Sequence, residues 1–169
     1  RAELLVQTLQ TLFRENTGNF KVYVVNNGCA LDLPDELSTL ATLTIINSKI
    51  NSPCYARNLA IQIMEPADYV YFCDDDLIFT QDVLSRAEKF LTKKNIQILN
   101  LATYKIRRYD HMITAIREYF LAPTDNSVDI MSGGNVIIKY DICEKVLWPD
   151  DYIGYAFGED VRYANLLKS

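Results

Sequence analysis

The sequence predicts an α/β domain built on a mostly parallel central sheet. Three observations carry that expectation. Short β-rich runs alternate with amphipathic helical stretches. The apolar strands end in polar clusters, as strands of an open α/β sheet do where a ligand binds. No linker, repeat or low-complexity segment interrupts the 169 residues, so the whole of 1–169 reads as one domain.

The elements follow in order. Leu4, Leu5, Leu9, Leu12 and Phe13 recur at helical spacing, and Asn16–Gly18 is a stop signal. Phe20–Val25 is a β-rich run that ends at Asn26-Asn27-Gly28. A polar loop with Pro34 leads to a second strand, Thr42–Ile46. Pro53 suits the first turn of a helix that runs to about Met64. Asp68–Cys73 is a third apolar strand and runs into Asp74-Asp75-Asp76. A helix over about 81–92 and a strand over about 96–102 come next. The stretch 103–127 is less regular. Ser127–Met131 and Asn135–Tyr140 read as two more strands around Ser132-Gly133-Gly134, and a helix begins at Glu159.

Composition narrows the function. Hydrophobic residues make up 49% of the chain, enough for a real core. The formal charge of -5 argues against nucleic acid as a partner and suits a protein that gathers a divalent cation. Lys105, Arg107 and Arg108 form too short a basic cluster to reverse this. Cys29, Cys54, Cys73 and Cys143 show no C-x-x-C spacing, so they read as reduced thiols in a cytoplasmic setting rather than as a zinc site. No apolar run reaches the roughly 18 residues of a membrane span. The chain begins inside a helical pattern, which fits an excerpt of a longer protein, one whose other segments could bring it to a membrane.

Asp74-Asp75-Asp76 is the strongest chemical signal. Three successive carboxylates repel one another, and a cation relieves that. Asp74 and Asp76 could share one Mg²⁺ or Mn²⁺, hard ions that keep open positions for a diphosphate. The plainer alternative is a solvated acidic turn that caps the next helix. Glu159-Asp160 has a similar alternative, an ordinary acidic helix start favoured by the helix dipole. Arg57 could be a surface arginine, and Gly133 and Gly134 a simple turn. His111, the one histidine, reads as a surface residue. Trp148, Tyr152, Tyr155 and Phe157 read first as core, with Trp148 a candidate to stack on an acceptor sugar.

Residues Tyr69–Leu77 resemble the D-x-D segment of GT-A glycosyltransferases, above all the inverting family 2, and other motifs follow at the family's intervals. Val22–Gly28 is similar to its second strand and base-contacting turn. Tyr55-Ala-Arg-Asn58 is similar to its Ala-Arg-Asn helix start, Ser132–Asn135 to its glycine-containing strand entry, and Gly158–Val161 to its Glu-Asp element. The resemblance implies a GT-A, Rossmann-like three-layer sandwich. It further implies a nucleotide-diphosphate sugar as donor and a saccharide, lipid-linked or protein acceptor. Asp76 would bind Mn²⁺ or Mg²⁺ directly, and Asp74 would contact the ribose or metal-bound water. Asn26, Asn27, Arg57, Asp75, Gly133 and Gly134 would line the donor. Asp160 would be the general base and Glu159 would orient its neighbours or the acceptor.

Two departures stand out. The family's first strand is missing, because Arg1 falls where the turn after that strand ends. Asn26-Asn27 stands where many relatives carry an aspartate that contacts uracil, and asparagine can donate or accept. Uracil, guanine and thymine therefore stay open. Two other readings compete with an active transferase. A sugar-nucleotide pyrophosphorylase would need a glycine-rich loop with Arg and Lys, and none is visible. An inactive GT-A-like domain that only binds a partner or glycan is favoured by the missing strand and opposed by the intact acidic motifs.

Overall fold

The computed structural model describes residues 2–28, 30–101, 133–150 and 158–168. The elements in chain order are α1 (Ala2–Glu15), β1 (Val22–Asn26), α2 (Asp35–Ser38), β2 (Leu43–Asn47), α3 (Pro53–Ile63), β3 (Tyr69–Cys73), α4 (Val83–Lys94), β4 (Ile98–Asn100), β5 (Asn135–Lys139), α5 (Tyr140–Lys145) and α6 (Glu159–Lys168). The expected strand at Ser127–Met131, together with His111 and the basic cluster, lies outside the described residues. So do Cys29, Ser132, Tyr152, Tyr155 and Phe157.

Local chemistry sets several boundaries. Ser52 caps α3, accepting from the Tyr55 amide at 3.3 Å, and Pro53 occupies the first turn, where its missing N–H costs nothing. α4 ends at Asn95 in a left-handed conformation, and the Ile96 amide returns to the Leu91 carbonyl at 3.0 Å. Two short helices escape the periodicity. α2 forms in the loop after Pro34, and α5 continues directly from β5. Elements of four and six residues are too short for a hydrophobic period to register.

β1 and β2 pair in parallel, Val22 opposite Leu43 through Asn26 opposite Asn47. β5 lies between β3 and β4 and runs against both, with Cys73 opposite Asn135 and Asn100 opposite Val136. One face of this three-stranded sheet packs Val70, Phe72, Val136 and Ile138 against α3, α5 and α6 through Cys54, Ile61, Cys143, Tyr163 and Ala164. The other face packs Ile137 and Leu99 against Leu12 of α1 and Val83, Ala87 and Leu91 of α4. The alternation of inward faces along β5 is the period-2 pattern of a strand buried on both sides. The result is the expected α/β sandwich of helix, sheet and helix.

Among the described residues no ladder joins β1 to β3. Between them lies a cavity of about 730 Å³, lined by Val22, Tyr23 and Val25 on one edge and all of Tyr69–Cys73 on the other. α3 and α4 bound it from either side.

Cys54, Cys73 and Cys143 are thiols, none in a disulfide. No described helix is long and apolar enough to cross a membrane.

Candidate functional site

The site forms where β3 hands over to its acidic loop. α1 holds that loop through a row of polar side chains on one face. The Thr8 hydroxyl donates to the Asp75 carbonyl at 3.1 Å. The Thr11 oxygen accepts from the Phe79 amide at 3.1 Å. The Asn16 carbonyl oxygen accepts from the Leu84 amide at 2.9 Å. Thr8 and Thr11 of α1 thus satisfy a carbonyl and an amide of the loop, Asn16, just past α1, satisfies an amide in the first turn of α4, and all three side chains are buried. Sequence periodicity registers these positions as part of a helix but gives no sign of what they grip.

The Asp74 amide donates to the Gly134 carbonyl at 2.9 Å, extending the β3–β5 ladder by one rung. This brings the acidic loop against the double glycine. A Cβ built on Gly134 would collide with the Asp74 carboxylate, and one built on Gly133 would sit 3.3 Å from Arg57 Nη2, Asp160 Cβ and Trp148 Cη2. Both glycines are therefore needed for the close approach of their neighbours.

Arg57, from α3, is the hub. Its guanidinium carbon lies 4.2 Å from the centre of the Trp148 ring. Nη1 stands 3.8 Å from Glu159 Oε1, an ion pair in which both side chains are 16% exposed. That nitrogen is buried and has no hydrogen-bond partner among the described residues. A buried charged donor without an acceptor is costly, and it marks a place that suits an anionic oxygen. Glu159 and Asp160 open α6, entered through Gly158 at φ +91, a conformation that favours glycine. The Asp160 carboxylate accepts from the Val161 amide at 2.9 Å.

Asn27, Arg57, Asp74 and Asp75 all line the cavity between β1 and β3. The expected site residues thus converge from five separate stretches of chain. Asn26 is the exception among the base-pocket candidates. Its amide nitrogen donates to Asn47 Oδ1 at 3.1 Å and its oxygen accepts from the Gly28 amide at 3.2 Å, so it shapes the turn and leaves Asn27 to face the cavity. Asp76 is exposed on the acidic turn and is not among the residues that line the cavity. No group of three or more His, Cys, Asp or Glu side chains that could hold a metal ion occurs among the described residues.

Trp148 is not an acceptor platform. It is 1% exposed, stacked on Tyr163 at 4.0 Å and edge-on to Phe72 at 5.4 Å. With the ring inside the core, no face is open to a sugar. Its backbone is held by Asn58, whose side chain donates to the Trp148 carbonyl at 2.9 Å and accepts from its amide at 2.8 Å. No sequence signal links residues 90 positions apart.

The sequence model described as "Glycosyl transferase family 2" matches residues 1–147. That stretch takes in every candidate site residue except Trp148, Glu159 and Asp160. A crystal structure of S. aureus TarS 1–349 superposes on the chain with a TM-score of 0.73 at 17% identity. The match covers 98% of this chain and 52% of that one, so the chain spans about half of its length. At that identity the likeness speaks for the fold. Among curated proteins there is no match.

Proposed function

The chain belongs to glycosyl transferase family 2, and from that premise we propose that it moves a sugar from a nucleotide-diphosphate donor to an acceptor hydroxyl, with inversion at the anomeric carbon. The observation that carries this reading is the convergence around Arg57. Its buried Nη1, without a hydrogen bond among the described residues, stands 3.8 Å from Glu159, and Gly133 lies against both Arg57 Nη2 and Asp160, at the wall of a cavity that Asn27, Asp74 and Asp75 also line.

Each residue then has a task. Asn27 meets the base, as donor or acceptor. The guanidinium of Arg57 binds oxygens of the diphosphate and balances charge as the nucleotide leaves. Glu159, 3.8 Å from Nη1, balances the Arg57 charge and orients the acceptor. Asp160 takes the proton from the acceptor hydroxyl as its oxygen attacks, a role worth about 10²–10⁴ in rate. Gly133 and Gly134, expected to let the sugar approach the backbone, instead make room for the side chains of Arg57, Asp160 and Asp74.

Asp74 and Asp76 would hold Mg²⁺ or Mn²⁺. Among the described residues no third ligating side chain joins them, so phosphate oxygens and water would have to fill the ion's remaining positions. When bound, such an ion supplies Lewis-acid stabilisation of the leaving diphosphate. Asp75, whose carbonyl is tied to Thr8, fixes the turn between them. The acceptor belongs among saccharides, lipid-linked sugars or protein hydroxyls. A cytoplasmic setting rests on the cysteine pattern alone.

Calorimetric titration of UDP, GDP and dTDP, with and without Mn²⁺, tests the reading. One nucleotide should bind only with metal, and Asp76→Ala should abolish that binding while leaving the melting temperature intact. Binding that ignores both metal and Asp76 would favour the non-catalytic binding domain instead.

A further inference from the structure

An arginine that must grip a ligand faces a conflict. It needs to be held still, yet every N–H spent on a protein carboxylate is lost to the ligand. Arg57 resolves this in an uncommon way. Its nearest described carboxylate, Glu159, stands 3.8 Å away, beyond hydrogen-bonding distance, and Nη1 makes no hydrogen bond to a described residue. What lies against the guanidinium is the Trp148 ring, at 4.2 Å. A π face attracts the planar cation while using none of its five donors.

The ring is itself immobilised. Tyr163 stacks on it with an interplanar angle of 16°, and the Tyr163 hydroxyl donates to the Val146 carbonyl at 2.8 Å. Asn58, the next residue after Arg57, binds both the amide and the carbonyl of Trp148. Successive helical residues point about 100° apart, so α3 meets the ring of Trp148 with Arg57 and grips its main chain with the next side chain, Asn58. Gly133 completes the fit, since a Cβ there would crowd both Arg57 Nη2 and Trp148 Cη2.

We propose that Trp148 is a positioning residue that holds the Arg57 guanidinium by its ring face, with Asn58 as its backbone clamp, so that the donors of Arg57 stay uncommitted for a diphosphate. The diphosphate part rests on the transferase reading; the hold on Arg57 does not.

Trp148→Phe keeps an aromatic face, and Trp148→Leu keeps apolar bulk without one. ¹⁵N relaxation at Arg57 Nε, melting temperature, and Mn²⁺-dependent affinity for UDP, GDP and dTDP are measured for each. The expected result is an ordered Nε in wild type and Trp148→Phe, and a mobile one in Trp148→Leu at a similar melting temperature. Affinity for the bound nucleotide falls about tenfold in Trp148→Leu and little in Trp148→Phe. Should Trp148→Leu not fold, wild type alone decides. The Arg57 side-chain protons must show the upfield ring-current shift of a group lying over an indole, and its absence overturns the proposal. An Arg57 Nε as ordered in Trp148→Leu as in wild type also overturns it. A wild type that binds no nucleotide but shows the ring-dependent order supports the positioning role and sinks the transferase reading.

Discussion

The carboxylate of Asp74 fills the space that a side chain on Gly134 would need. The Asp74 amide also donates to the Gly134 carbonyl, so the two residues are fixed to each other through backbone and side chain together. Gly134→Ala must therefore push Asp74 off its position. The expected outcome is a loss of about 1–3 kcal/mol in unfolding free energy from overpacking and a fall of at least about tenfold in metal-dependent nucleotide affinity. Chemical denaturation and calorimetry check the two parts.

Asp160→Asn separates chemistry from binding. Asparagine keeps an oxygen to accept from the Val161 amide, so the start of α6 is preserved. On the proposed role of Asp160 as general base, turnover should fall by about 10²–10⁴. Nucleotide affinity should stay as it was. Unchanged turnover in the purified variant would remove Asp160 from the reaction.

Thr11→Val leaves the Phe79 amide without its acceptor inside the core. Unfolding free energy should drop by about 1–3 kcal/mol, and Thr11→Ser, which restores the oxygen, should recover most of it. A valine variant as stable as the wild type would mean that α1 does not hold the acidic loop through this bond.

Alkaline pH should destabilise the fold through the core beneath Trp148. Burial pushes the Cys143 thiol up to about 12 from its ordinary 9.0. Burial likewise pushes the Tyr163 hydroxyl up, with Cys143 adding to the effect. In the unfolded chain both groups ionise at their ordinary values, whereas the folded chain keeps them protonated. Their contribution is thus complete below about pH 9 and is lost as pH climbs toward 12. The melting temperature should decline steadily above pH 9, and less steeply in Cys143→Ala.

Much of the fold was legible because its signals are local. Pro53 after Ser52 marks the start of α3, and the run Tyr69–Cys73 before three aspartates marks a strand ending at a site. The candidate site residues were legible for a similar reason, since each sits in a short motif. What the motifs could not reveal was tertiary. Trp148, read first as core, stays a candidate sugar platform on sequence because an aromatic before an acidic helix start reads the same whether its ring faces solvent or core. The division of labour between Asn26 and Asn27 depends on Asn47, which only the pairing of β1 with β2 brings within reach. The grip of Thr8 and Thr11 on the acidic loop, and of Asn16 on the start of α4, spans nearly 70 residues and leaves no trace in periodicity.

The cleft between β1 and β3 bears on how the molecule comes apart. A sheet behaves as one cooperative unit because each strand's amides are tied to the next. Here that chain of ties is broken among the described strands. β5 is paired on both sides and has four buried residues, whereas every residue of β1 is only partly buried. The β1–β2 pair is therefore expected to open as its own foldon, below the free energy of global unfolding. Amide exchange at Val22–Asn26 should outpace that at Asn135–Lys139, and a nucleotide that bridges Asn27 to Arg57 and Asp74 should slow it by fastening the two foldons together.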